Sequence, residues 1–110
     1  MTATEPFEID PAALRDRLAS DDPPVVLDVR EPWEIEIVAL PAILAIPLGN
    51  LTARAAEVPR DRPVAVMCHH GGRSAQATAW LRQQGFGRVM NVAGGIDAWA
   101  RMIDPSVPRY

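Results

Sequence analysis

The chain has 110 residues, 48% of them hydrophobic and 23% charged, with a formal net charge of −3 and a single cysteine. That length suits one domain with a real core, and that composition excludes an intrinsically disordered chain. All 11 basic residues are arginine and lie scattered, so the basic stripe of a nucleic-acid binder is missing, and one cysteine forms no internal disulfide.

Met1-Thr2-Ala3-Thr4-Glu5-Pro6 carries neither a basic n-region nor an apolar h-region and does not read as a signal peptide. The longest apolar run, 37–48, is broken by Pro41 and Pro47 and falls short of the roughly 20 residues of a membrane helix. The expected location is cytoplasmic, with neither membrane nor nucleic acid as partner.

In chain order, Phe7-Glu8-Ile9 predicts a short first strand. Asp10-Pro11 then supplies an N-cap and a first-turn proline. Leu14 and Leu18 form the buried stripe of that helix, which Ser20-Asp21-Asp22-Pro23-Pro24 ends. Val25-Val26-Leu27-Asp28-Val29 is a near-continuous apolar run, the mark of a strand covered on both faces. Pro32 starts a short helix through about residue 37. Ile43-Leu44-Ala45-Ile46 reads as another buried strand, and 51–57 as a short helix stopped by Pro59 and Arg60-Asp61-Arg62-Pro63.

Val64-Ala65-Val66-Met67 predicts the strand leading into Cys68-His69-His70-Gly71-Gly72-Arg73-Ser74. In the helix that follows, Ala77, Trp80, Leu81 and Gln84 fall on helical spacing. Gly85 suits the left-handed residue after its end, with Phe86 folding back onto Leu81. Residues 88–92 make the last strand, and Gly94-Gly95 opens a closing helix over 96–100. Asp104-Pro105 and Pro108 mark residues 102–110 as a frayed tail.

Strands alternating with helices point to an α/β fold with a mainly parallel sheet. Ligands in such sheets bind beyond the carboxyl ends of the strands. That rule gathers Asp28 and Arg30, the cysteine loop, and Ala93-Gly94-Gly95 at one edge.

The cysteine loop has the chemistry of an activated nucleophile. A cysteine at a helix N-terminus meets backbone N–H groups without intrahelical partners and the positive end of the helix dipole, and both favour the thiolate. Gly71 and Gly72 provide the positive φ that such a tight turn requires. Arg73 adds a permanent charge at the loop's end. Ser74 can bond back to the loop or help cap the helix, and His69 and His70 add polar donors.

Each feature has a plainer counterpart. A lone cysteine is commonly an inert core residue. The histidines read equally as solvated loop groups, and with no second cysteine they do not make a zinc site. Both lie beside Cys68, so the helix terminus and Arg73, rather than a Cys-His dyad, supply the activation. Asp28 reads as a structural acceptor for nearby backbone as well as a site residue. Trp33, Trp80 and Trp99 read as core.

Cys68-His69-His70-Gly71-Gly72-Arg73-Ser74 resembles the active-site loop of a rhodanese domain, the thiosulfate sulfurtransferase family. Leu27-Asp28-Val29-Arg30-Glu31-Pro32-Trp33-Glu34 is similar to the family's first signature and Ile46-Pro47-Leu48 to its second. Asn91-Val92-Ala93-Gly94-Gly95-Ile96-Asp97-Ala98-Trp99 is similar to the closing motif. The resemblance covers about 7–101 and implies one rhodanese-like domain over 1–110, a five-stranded, mainly parallel sheet with helices on both faces.

The resemblance also implies a mechanism. The Cys68 thiolate attacks the sulfane sulfur of thiosulfate, sulfite leaves, and the persulfide passes its sulfur to cyanide, a thiol or a partner protein. Its cradle falls on the N–H groups of residues 69–73, with Arg73 pairing an anionic substrate group. His69, His70, Gly71, Gly72 and Ser74 are then substrate-binding, and Asp28 and Arg30 are signature positions ranked behind them. Neither cofactor nor metal is implied.

In one segment this chain departs from the pattern. Many relatives carry His-Ile-Pro-Gly-Ala where it has Ala39-Leu40-Pro41-Ala42-Ile43. The missing glycine implies a different turn, and the missing histidine removes a polar group near the sheet end. Phosphatases of the related fold, and arsenate reductases resembling them, place five residues between cysteine and arginine; here four intervene, which makes a smaller ring suited to one added sulfur. The alternative in a different class is a sulfur-carrier or partner-binding module with little turnover.

Overall fold

A computed structural model describes residues 5–110, and the N-terminal stretch read above as no signal peptide falls mostly on residues 1–4, outside the described residues. Five strands form one parallel sheet: β1 (Glu8–Ile9), β2 (Val25–Asp28), β3 (Leu44–Ala45), β4 (Val64–Met67) and β5 (Val89–Val92), in the order β1-β5-β4-β2-β3. The helices are α1 (Pro11–Leu18), α2 (Pro32–Ile37), α3 (Leu51–Arg54), α4 (Gly72–Gln83) and α5 (Gly95–Met102).

Period-two alternation along the strands divides the core between two faces. Leu27, Val64, Val66 and Val89 pack with Leu51 and with Ala77 and Leu81 of α4. Val26, Ala65, Met67, Met90 and Val92 pack on the other face with Leu14 of α1 and with Ile96 and Trp99 of α5. Helices therefore cover both faces, which is why the central runs are apolar but for Asp28 and Asn91. Among the described residues no helix is long and apolar enough to cross a membrane.

The local signals act as their chemistry dictates. Asp10 accepts the Ala13 N–H at 2.8 Å and caps α1. At the end of α4, Phe86 N–H reaches Leu81 O and Gly85 N–H reaches Arg82 O, each at 3.1 Å, with Gly85 at φ +92°. That is a complete Schellman closure.

Five expectations need correction. The strand expected over 43–46 is a two-residue edge strand with only Ile46 buried, because β3 pairs with β2 alone. The helix expected over 51–57 is α-helical to Arg54 and then tightens to a 3-10 turn over Ala55–Glu57. Trp99 is buried and Trp80 half-buried, but Trp33 is 60% exposed: α2 is six residues long and turns Glu34 inward instead. The turn at 39–43 keeps a left-handed residue despite lacking glycine, with Ala42 at φ +59°. Finally, the segment after α5 does not fray, because Tyr110 packs back over the carboxyl end of the sheet.

Candidate active site

Cys68 follows β4 on the face of Val64 and Val66, so alternation carries its side chain beneath the N-terminus of α4. It is 1% exposed, yet its sulfur is not left in apolar surroundings. The N–H groups of Gly71 and Ser74 donate to Sγ at 3.1 and 3.3 Å, and Ser74 Oγ lies 3.3 Å away. Of the N–H groups expected from residues 69–73, only that of Gly71 reaches the sulfur; Ser74, one residue beyond, supplies the other.

The two loop glycines differ. Gly71 has φ +103°, and a Cβ there would stand 3.2 Å from Gly94 N, so both conformation and space demand glycine. Gly72 is the first residue of α4, carries no positive φ, and faces open space. The expectation of positive φ at both is corrected at Gly72, since the single reversal at Gly71 already turns the chain into the helix. The Gly72 and Arg73 N–H groups sit in the first turn, without intrahelical acceptors. Among the described residues they have no other protein acceptor.

The loop is held from beneath by the start of α5. Ile96 N–H donates to Cys68 O at 2.9 Å and Asp97 N–H to His69 O at 3.0 Å. Gly95, at φ +61°, lets the two segments approach: a Cβ there would fall 2.5 Å from both carbonyl oxygens. This is the physical content of the paired glycines, which the sequence placed beside the loop without a role.

Behind the sulfur, Ser74 Oγ donates to Asn91 Oδ1. Asn91, buried in β5, donates through its amide to Glu8 at 2.9 Å and to Gly71 O at 3.3 Å. A hydroxyl has one proton, so while Ser74 gives it to Asn91 its oxygen can accept from the thiol. When the thiol ionises, that proton can turn to the sulfur.

Two ion pairs flank the loop. Arg30 and Asp28, both wholly buried, bond through Nε–Oδ1 at 2.9 Å and Nη2–Oδ2 at 2.7 Å, and Arg30 also reaches Val38 O at 2.8 Å. The resemblance implies substrate-binding roles for both, but they have no surface to offer a substrate and instead tie the end of β2 to the chain after α2. Arg73 pairs with Glu34 through both guanidinium nitrogens, at 2.6 and 2.8 Å. Those hydrogen bonds hold the Glu34 carboxyl at about 2, far below its ordinary value of 4.5, although its burial acts the other way.

Tyr110 joins the pairs. Its hydroxyl accepts from Arg30 Nη1 at 3.1 Å and donates to Glu34 Oε2 at 2.8 Å. Burial pushes the phenol above its ordinary value, which keeps that proton in place. Its ring stacks on His69 with centroids 3.8 Å apart, and His70 stacks on His69 at the same distance. Burial, and next the neighbouring His70, push the His69 imidazole below its ordinary value, favouring its neutral form.

His69, His70 and Asp97 each bring one donor atom within 4.8 Å of the others. The two imidazoles lie nearly parallel, 28° apart, so their in-plane lone pairs run side by side rather than converging. Asp97 is already engaged by Arg101 and Arg109. The donor set does not fit a metal.

The fold thus brings together Cys68, His69, His70, Gly71, Gly72, Arg73 and Ser74, with Asp28 and Arg30 as a brace one layer away. Glu34, Asn91 and Tyr110 were not singled out. Asn91 had a legible signal, a polar side chain inside an apolar strand. Glu34 closes the Leu27–Glu34 signature, and Tyr110 carries no sequence signal.

Residues 10–102 match the Rhodanese-like domain family. A sulfurtransferase from Allochromatium vinosum is 46% identical over 94 residues, covering 86% of this chain and 88% of that protein. A putative sulfur carrier protein, YrkF of Bacillus subtilis, is 37% identical over 92 residues, covering 84% of this chain and 50% of its own length. The crystal structure of a rhodanese-related protein from Thermoplasma volcanium superposes with a TM-score of 0.79 at 35% identity, covering 86% of this chain and 90% of that one.

Proposed function

The chain belongs to the rhodanese-like domain family, and from that premise we propose that it is a sulfurtransferase that carries sulfane sulfur on Cys68, with thiosulfate or a similar small anion as donor. The Cys68 thiolate attacks the outer sulfur of thiosulfate, a new S–S bond forms, the old one breaks, and sulfite leaves with the bonding pair. The Cys68 persulfide then passes its terminal sulfur to a nucleophile such as cyanide or a thiol, and the thiolate returns. Charge and electrons balance in both steps, and no cofactor is called for.

One observation carries this reading. Two N–H donors, those of Gly71 and Ser74, already serve Sγ, while the adjacent Gly72 and Arg73 N–H groups have no protein acceptor among the described residues. One sulfur is provided for, and donors remain for a second. The open space beside Gly72 gives that atom an approach. A thiol that must stay reduced suits the cytoplasm, where we place the reaction.

The test is an intact-protein mass spectrum after incubation with thiosulfate. The wild type should gain one sulfur, lost again on addition of cyanide, and a folded Cys68→Ser protein should gain none. A wild type that takes up no sulfur overturns the thiosulfate assignment. The likeness to a putative sulfur carrier supports a second reading, in which Cys68 is loaded by a partner and discharges only to another protein. Persulfide formation without turnover to cyanide would select it.

A further inference from the structure

Glu34 is held by four hydrogen bonds, two to each oxygen. Oε1 accepts from Arg73 Nη1 at 2.6 Å and from Glu31 N–H at 3.0 Å. Oε2 accepts from Arg73 Nη2 at 2.8 Å and from the Tyr110 hydroxyl at 2.8 Å. A carboxylate so bound cannot rotate, and neither can the planar guanidinium that it grips through both terminal nitrogens. A guanidinium has five N–H donors. Glu34 occupies one edge of the Arg73 fork, and the donors it leaves unused belong to a side chain still 36% exposed.

Tyr110 is fixed in turn. Its ring lies on His69 with an interplanar angle of 8°, and Trp33 meets it edge-on at 6.2 Å. The preceding residue, Arg109, bonds Asp97 at 3.0 Å, and Asp97 N–H is one of the donors holding His69 O. The segment after α5 is therefore tied to the same loop that bears Cys68.

We infer that Tyr110 is a positioning residue for sulfur transfer: by locking Glu34 through its hydroxyl and His69 through its ring, it fixes the direction in which Arg73 presents its free N–H donors to an anionic sulfur donor. The inference rests on the reading of Cys68 as the sulfur acceptor. Without the hydroxyl, Oε2 keeps one partner, the ion pair gains a rotation, and the positive edge at the mouth of the loop is spread over several orientations.

The test compares wild type, Tyr110→Phe and Tyr110→Ala by two measurements. The first is the ratio of Cys68 alkylation rates by iodoacetate and by iodoacetamide, which reads the charge at the mouth without any sulfur chemistry. The ratio should fall about fivefold in Tyr110→Phe, the size of one ordinary net hydrogen bond, and at least as far in Tyr110→Ala. The rate with neutral iodoacetamide should hold in Tyr110→Phe, because the N–H groups on Sγ do not come from Arg73. The second is thiosulfate kinetics, where KM should rise about fivefold while kcat at saturating thiosulfate stays unchanged.

A merely structural Tyr110 would lower the melting temperature and leave the alkylation ratio alone. A wild-type ratio in folded Tyr110→Phe overturns the inference. If the wild type takes no sulfur from thiosulfate and the ratio still falls, the donor assignment fails and the positioning role stands.

Discussion

Glu34 on α2 grips Arg73 on α4 through two hydrogen bonds, at 2.6 and 2.8 Å, joining segments 39 residues apart in sequence. The guanidinium expected to meet substrate is thus oriented by a protein carboxylate that is only 4% exposed. Its charge is partly balanced before any anion arrives, so directional N–H donors, rather than bare charge, are what Arg73 brings to the loop.

That pair sets a pH dependence of stability. The Glu34 carboxyl is depressed in the folded chain to about 2 from 4.5, so its contribution is complete above about pH 4.5 and is lost as pH falls toward 2. Glu34→Gln should cost about 2 kcal/mol at pH 7. In urea unfolding at pH 7, 5, 4 and 3 the gap between wild type and variant should be constant at the first two and shrink at the last two. A gap independent of pH would show that the carboxylate's charge is not what matters.

How much of this was legible follows from the range of each signal. Cys68, Gly71 and Ser74 stand within seven residues, and a strand running into a glycine turn and a helix brings them together by local geometry alone. Asp10 and Gly85 act over one helical turn and were equally readable. Glu34 and Tyr110 were not, because one face of a six-residue helix and the path of a proline-bearing segment are decided by tertiary contacts. Trp33 misled for the same reason: its place on a motif helix argued for burial, but the buried position of α2 went to the residue whose charge Arg73 satisfies.

Ala42 is the cheapest place to gain stability. It holds φ +59° within the turn before β3, a conformation that brings an L side chain's Cβ against the following carbonyl. Ala42→Gly should remove about 1–2 kcal/mol of strain and give back part of it as unfolded-chain entropy. The expected net gain is about 0.5–1 kcal/mol in urea unfolding, with sulfur uptake unchanged. A loss of stability would mean that the Ala42 methyl makes contacts worth more than the strain.

Gly71 and Gly72 are adjacent and of one type, yet substitution should separate them. At Gly71 an alanine faces φ +103° and a Cβ 3.2 Å from Gly94 N, and relief of either moves the N–H that donates to Sγ. Gly71→Ala should lose about 2 kcal/mol of stability. Its alkylation by iodoacetamide at neutral pH should also slow, since the thiolate loses one of its two amide donors. At Gly72 the new methyl meets nothing within 4 Å and helix propensity favours alanine by about 0.8–1 kcal/mol, so Gly72→Ala should be no less stable than wild type. Sulfur uptake by Gly72→Ala then reports on the mouth alone, because a slower reaction with thiosulfate at unchanged iodoacetamide reactivity would place the incoming sulfur beside that methyl. Equal damage from both substitutions would mean that the loop needs glycine for some reason other than the single left-handed residue, and the account of how the amides are aimed would fail with it.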